Sequence, residues 1–178
     1  ICFITPEIGR WSSITNLGRI LDELTYCLSL LGQDIYVISP YYKKNKEGKT
    51  GYLEYDKCGF IYLNTYEVYF DKRYEFDIYF GKVNGVKLYF IKNEEIFPSP
   101  YPKGNNEFQL LQLALMSKAS LALLTNIGVI PSLIVTNDWF TGLVPAFAKG
   151  GHFGETFKNT VFFHVLHNFR TGEEGCIR

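Results

Sequence analysis

Residues 1–40 read as strand, loop, amphipathic helix, glycine, strand, and no other feature limits the fold so sharply. Ile1-Cys2-Phe3-Ile4 starts an apolar strand, Ile1–Thr5, that runs into Pro6-Glu7-Ile8-Gly9. Leu17, Ile20, Leu21, Leu24, Cys27, Leu28 and Leu31 then recur with the 3.6-residue period of a helix face. Gly32 stands where a left-handed residue ends a helix, and Ile35-Tyr36-Val37-Ile38 forms the next strand, closed by Ser39-Pro40. Such a βαβ unit requires a parallel sheet and a right-handed crossover.

The rest of the chain repeats this logic with one interruption. A polar loop is expected over Lys43–Lys57. Gly59–Phe70, Tyr74–Lys82 and Val86–Ile91 are rich in β-branched and aromatic residues, and Asn84-Gly85 between two of them predicts a hairpin. Pro98, Pro100 and Pro102 enforce a loop. A second helix is expected near Asn106, with Asn106 and Gln109 as a capping box and Phe108, Leu111, Leu115, Ala119, Ala122 and Leu123 on its apolar face. Gly128, a short strand at Leu133-Ile134-Val135, a third helix over Trp139–Lys149 and a last strand over Thr160–Leu166 complete the pattern. The fold class is α/β: a Rossmann-like parallel sheet with helices on both faces and an antiparallel hairpin elaboration.

Composition narrows the function classes. The chain has 178 residues, about one domain, and its 47% hydrophobic share excludes intrinsic disorder. Eighteen basic residues balance 18 acidic ones, which argues against a nucleic-acid binder and a polybasic membrane anchor. No apolar run approaches the roughly 20 residues of a spanning segment. Cys2, Cys27, Cys58 and Cys176 form no CxxC, and His152, His164 and His167 are not spaced with them as a zinc site requires. Free thiols in a reducing compartment and no metal are expected. The abrupt ends, with Ile1 already in a strand and Arg178 after a loop, read as a piece of a longer polypeptide.

In an open parallel sheet, ligands gather outside the carboxyl ends of the strands. Three such ends carry polar groups: the Pro6–Leu17 loop, Thr136-Asn137-Asp138-Trp139 and His164–Asn168. The first, with Gly9 and Gly18, leads into a helix N-terminus that favours anions, without a GxGxxG or Walker pattern. Asp138 either accepts sugar hydroxyls or caps the helix at Trp139. His167 either is structural or donates to a hydroxyl or a developing negative charge. His164 is expected in the core, and His152 in a surface loop.

At these same places the sequence resembles the starch and bacterial-type glycogen synthases, retaining glycosyltransferases built from two Rossmann-like halves, the GT-B fold. The resemblance lies in Ile4-Thr5-Pro6-Glu7-Ile8-Gly9, Leu17-Gly18, Val37-Ile38-Ser39-Pro40-Tyr41-Tyr42, Asn137-Asp138-Trp139-Phe140-Thr141-Gly142-Leu143-Val144-Pro145 and Leu166-His167-Asn168. It implies that residues 1–178 are the N-terminal, acceptor-side half of such an enzyme, the nucleotide-sugar half lying outside it. It further implies extension of an α-1,4-glucan from ADP-glucose or UDP-glucose, with no cofactor, no metal, no nucleic acid and no membrane. His167 is then the catalytic candidate, contacting the donor sugar. Gly9, Ser13, Thr15, Asn16, Gly18, Asp138, Trp139 and Asn168 are the substrate-binding candidates. The isolated piece is expected to be inactive and the setting cytoplasmic, or plastidic if a transit peptide was trimmed upstream.

Two departures stand out. The family's glycine-rich turn, K-x-GG-LG, corresponds to Ser13-Ile14-Thr15-Asn16-Leu17-Gly18, so a lysine is lost and two glycines gain a Cβ. Those Cβ atoms are expected to obstruct close backbone approach and positive φ. The family's DWH is Asp138-Trp139-Phe140, without the imidazole. Either the site is rebuilt, or the domain is a non-catalytic glucan-binding or regulatory module of the same fold.

Overall fold

The computed structural model describes residues 1–13, 15–42, 59–99 and 106–167. Ile14, the 43–57 loop, Cys58, Pro100, Pro102, Asn168 and Cys176 lie outside the described residues. Among those described, seven strands form one sheet: β1 (Cys2–Ile4), β2 (Tyr36–Pro40), β3 (Ile61–Tyr69), β4 (Arg73–Val83), β5 (Val86–Lys92), β6 (Leu133–Asn137) and β7 (Val161–Val165). Their order is β3-β4-β5-β2-β1-β6-β7. The β5-β2-β1-β6-β7 run is parallel, and β3 and β4 add an antiparallel extension beside β5. The turn between β4 and β5 has φ of 51° at Asn84 and 82° at Gly85, the left-handed pair that the Asn-Gly dipeptide predicts.

Among the described residues, four α-helices accompany the sheet: α1 (Gly9–Ser12), α2 (Asn16–Leu30), α3 (Asn106–Asn126) and α4 (Val144–Lys149). Leu17 and Leu21 of α2 pack with Phe3, Val37, Leu88 and Phe90 on one face of the sheet. Leu115, Leu121 and Leu124 of α3 and Val144 of α4 pack with Ile4, Ile38, Ile91 and Ile134 on the other. Both faces are thus covered, and the apolar runs of β1 and β2 follow from it.

Several expectations need correction. Of the apolar α2 stripe, Leu17 and Leu21 are buried, but Ile20 and Leu24 are 46% and 41% exposed and Leu31 is 75% exposed. The helix rests on the sheet along Leu17, Leu21 and Thr25, and Ile20 and Leu24, each one residue and about 100° round the helix from Leu21 and Thr25, reach solvent. Helix α3 begins with Asn106 as its first helical residue, not as a cap. From Gln112 onward α3 is buried on nearly every side. It is long and apolar enough to cross a membrane, by length and composition only, and 61% of the relevant window is buried inside the fold. The single helix expected over Trp139–Lys149 is two pieces, a 3₁₀ turn at Trp139–Thr141 and α4. Gly142 and Leu143 separate them, and Pro145 sits in the first turn of α4, where its missing N–H costs nothing.

Free thiols are found at buried Cys2 and exposed Cys27. Burial pushes the Cys2 thiol up to about 12, so it is inert at neutral pH. Phe90 is fully buried between Phe60, at 5.0 Å, and Trp11, at 6.3 Å, in edge-to-face contacts. Truncating it opens a cavity under α2, and Phe90→Ala is expected to cost about 3–5 kcal/mol in urea unfolding.

Candidate functional site

The chain leaves β1, crosses to β2 and the antiparallel extension, and returns to the opposite side of β1 as β6. The switch point of the sheet therefore lies between the carboxyl ends of β1 and β6, the place where ligands bind in open α/β sheets. The Thr5–Gly9 loop follows β1, Asp138 follows β6 and His167 follows β7, so all three predicted strand ends meet on one rim.

Asp138 does not cap a helix. Its side chain makes no cap bond, and Oδ1 accepts the backbone N–H of His167 at 2.7 Å. Its own N–H donates to the Val165 carbonyl at 2.8 Å, so the loops after β6 and β7 are clamped from both sides. Asp138 has φ 57° and ψ −180°, a region that side chains avoid at a cost of roughly 1–3 kcal/mol. Thr141 helps hold this bend: its hydroxyl accepts from the Asn137 N–H and donates to the Asn137 carbonyl, both at 2.8 Å.

His167 Nε2 lies 3.0 Å from Asn137 Oδ1. The other end of that carboxamide, Nδ2, donates to the Ile4 carbonyl at 3.4 Å, which fixes Oδ1 toward the ring. Nε2 of His167 must then carry the proton, and Nδ1 is the acceptor in the neutral ring. The donor role considered for His167 is thus occupied by Asn137 in this conformation, and donating from Nδ1 requires the imidazolium. Asn137 is 1% exposed and ties β1 and β6 to the segment after β7. The pairing spans 30 residues, so the strand-end motif that contains Asn137 could not show its bond to His167.

Trp139 is half-buried, its ring edge on Phe140 at 5.4 Å, and Phe140 is a core residue against Phe97. The position lacking an imidazole is therefore filled by packing. His164 is not in the core: β7 is the last strand of the described sheet and His164 is exposed on it, with Nδ1 2.7 Å from the Thr136 hydroxyl. Strand alternation alone cannot tell a central strand from an edge one. His152 lies exposed in a turn beside Phe147, as expected.

Thr15 and Asn16, just before and at the start of α2, are ordinary in backbone. Thr15 is extended, with φ −113°, and Asn16 is the first helical residue, so no positive φ is demanded of either. The expected strain of a side chain at these positions is absent. Thr15 Oγ1 caps α2 by accepting the Leu17 N–H at 3.1 Å. Ser13 Oγ donates to the Thr15 carbonyl at 3.2 Å. Close approach is needed at Gly18 instead, where a Cβ would fall 2.9 Å from Ser13 Cα. Gly9 has φ +46°, and its Cβ would meet the Asp22 carboxylate of α2 at 2.8 Å, so Gly9 serves the packing of the β1 loop on that helix. Sequence reasoning passed over Glu7, whose buried carboxylate accepts from the Thr15 N–H at 2.9 Å and the Thr15 hydroxyl at 2.6 Å. Among the described residues no cluster of His, Cys, Asp and Glu is placed to hold a metal.

A family model described as the starch synthase catalytic domain matches residues 1–175. The chain belongs to this family. Similar curated proteins include the glycogen synthase of Hydrogenobaculum sp. (strain Y04AAS1), 31% identical over 151 residues, covering 83% of this chain and 30% of the relative. The glycogen synthase of Finegoldia magna is 32% identical over 175 residues, covering 96% of this chain and 35% of the relative. Among solved structures, the catalytic domain of Starch Synthase IV from Arabidopsis thaliana, bound there to ADP and acarbose, matches with a TM-score of 0.73. It is 23% identical over 94% of this chain and 34% of that one, a likeness of fold. The chain spans about a third of the length of these relatives.

Partial desolvation of the ring against the sheet lowers the His164 pKa from 6.5, while the nearby Asp138 charge opposes that shift. Because the fold favours the neutral ring, the unfolded chain binds this proton more readily, and stability falls as pH drops below about 6.5. Replacing the carboxylate by Asp138→Asn removes the opposing charge. The His164 pKa is expected to fall further, as read by NMR titration of the imidazole.

Proposed function

We propose that this domain forms the acceptor-side wall of a retaining glucosyltransferase that extends an α-1,4-glucan from ADP-glucose or UDP-glucose. The observation that carries the reading is the Asp138–His167–Asn137 set. Two loops from separate strands are clamped at the switch point of the sheet, one residue held in a strained conformation, in a chain of the starch synthase family. Backbone strain maintained by surrounding bonds is characteristic of functional sites.

The transition state of glucosyl transfer is oxocarbenium-like, with charge leaving on the nucleotide diphosphate. A His167 ring pinned through Nε2 is preorganised against the sugar, and preorganised polar groups act more strongly in a crevice that excludes water. Asp138, already holding the His167 backbone, supplies a second acceptor oxygen for a sugar hydroxyl. Ser13, Asn16, Trp139 and Gly18 line or shape the approach, with Asn168 next to His167 in sequence. The chemistry calls on no resident cofactor or metal, and the domain needs a second, nucleotide-binding half to close the cleft. A cytoplasmic or plastidic setting suits such a partner enzyme.

The longest natural polypeptide carrying this sequence is expected to transfer glucose to glycogen, and the 178-residue chain alone to transfer none. In the longer polypeptide, His167→Ala is expected to lower kcat about 100-fold or more with melting unchanged. Wild-type rates in that variant would remove His167 from the site.

A non-catalytic glucan-binding module is the second reading. It is favoured by the loss of lysine at Ser13 and of imidazole at the buried Phe140. Glucan binding by the longer polypeptide without turnover of either nucleotide sugar is the result that selects it.

A further inference from the structure

We propose that the antiparallel extension carries a second saccharide site, on the sheet face that bears α2, where the rings of Tyr62 and Tyr79 hold an α-glucan chain. The choice of an α-glucan rests on the glucosyltransferase reading above. β3 and β4 pair residue for residue except between Tyr62 and Asn64, where Leu63 is an extra residue, a bulge. In a regular strand, residues two apart share a face; across the bulge, Tyr62 and Thr65 do. Their hydroxyls lie 2.8 Å apart, and Thr65 donates to Asp77 Oδ1 at 2.7 Å. Because the Thr65 proton goes to the carboxylate, Tyr62 is the donor in the first bond. The Tyr62 ring also meets Tyr79 edge-on, centroids 5.9 Å apart, and Tyr79 lies 4.9 Å from Tyr41. Tyr62 is thus 53% exposed yet held at both its ring and its hydroxyl. A ring fixed in this way offers a flat apolar face with little rotamer freedom left to lose, which favours stacking on the C–H face of a sugar.

Polar groups adjoin the rings. Asp77 stands opposite Lys92 in the β4–β5 register, and both line an open cleft of about 510 Å³ with Arg73, Glu75, Asn93 and Glu95. That volume is in the range of ligand sites. Lys92 Nζ lies 5.9 Å from the Tyr79 ring centre and 3.4 Å from Glu94. A carboxylate has about four acceptor positions, of which Thr65 takes one of Asp77's, and an ammonium has three donors. Hydroxyls of a stacked sugar therefore find acceptors and donors alongside. Three cations and four acids line the cleft, so a phosphate gains no net attraction there. Among the described residues no group of His, Cys, Asp and Glu is placed to hold a metal ion. A neutral polyol suits this balance.

The position gives the site its use. Lys92 ends β5, which runs parallel to β2, β1 and β6, so the cleft opens on the same edge of the sheet as Asp138. β4 lies three strands from β1, roughly 14 Å at the usual strand spacing. A long glucan held on the rings keeps its free end near the switch point at a raised effective concentration, whereas a short one gains nothing.

The test uses the longest natural polypeptide carrying this sequence. Tyr62→Ala and Asp77→Ala are each expected to weaken retardation by glycogen in a native gel about fivefold or more, with melting unchanged. Tyr62→Trp should keep glycogen affinity within about twofold, and maltoheptaose should change its indole emission beyond any change in the wild type. In transfer assays Tyr62→Ala should raise the KM for glycogen about fivefold or more, and leave those for maltotriose and the nucleotide sugar within about twofold. Wild-type protein that glycogen does not retard, unchanged retardation of Tyr62→Ala, or no added emission change in Tyr62→Trp overturns the site. An equal rise in the maltotriose KM also overturns it, because the rings then belong to the transfer site. Absence of transfer by the wild type counts against the glucosyltransferase reading alone, and the gel and emission measurements still decide this proposal.

Discussion

The parallel pairing of β1 with β2 on one side and β6 on the other is the constraint on which the candidate site depends. β1 is a three-residue strand, fully buried, with α2 on one face of the sheet and α3 on the other. Because its neighbours run the same way, the loops that follow β1, β6 and β7 leave from one edge. Asn137 converts that topological neighbourhood into a fixed geometry, donating to the Ile4 carbonyl and accepting from His167. A slip of one residue in the β1–β6 register would turn Asn137 to the wrong face and leave His167 without its partner.

The substituted turn before α2 shows how a local departure from a family pattern is absorbed. Side chains at Thr15 and Asn16 suggest obstruction when read alone. In the fold, Thr15 takes an ordinary extended backbone, its hydroxyl caps the helix, and the charge of Glu7 holds it there. The close approach that the turn does require falls on Gly18, which the sequence retains.

Legibility in the sequence followed the range of the interactions. The Asn84-Gly85 turn, the βαβ opening and the helix breaks at Gly32 and Gly128 are set by neighbouring residues, and the structure has them where the pattern put them. The exposed His164 and the split of the Trp139–Lys149 segment were misread. Edge position and the hydroxyl bonds of Thr141 depend on what lies across the sheet or one turn away. Glu7 and Asn137 lie in the strand-end segments and family motifs but were not singled out as site residues, since a carboxylate in a loop and an amide at a strand end are ordinary until their partners are known.

By itself, the sequence determined the alternation of strand and helix, because apolar period and turn chemistry act within a few residues. It also determined that Gly9, Asp138 and His167 belong at strand ends. Only the tertiary structure decided which nitrogen of His167 carries its proton, what Asp138 holds, and that Glu7 bonds Thr15 at the start of α2. Each of these is a hydrogen bond between distant segments, and its existence depends on strand order and register that no short stretch of sequence encodes.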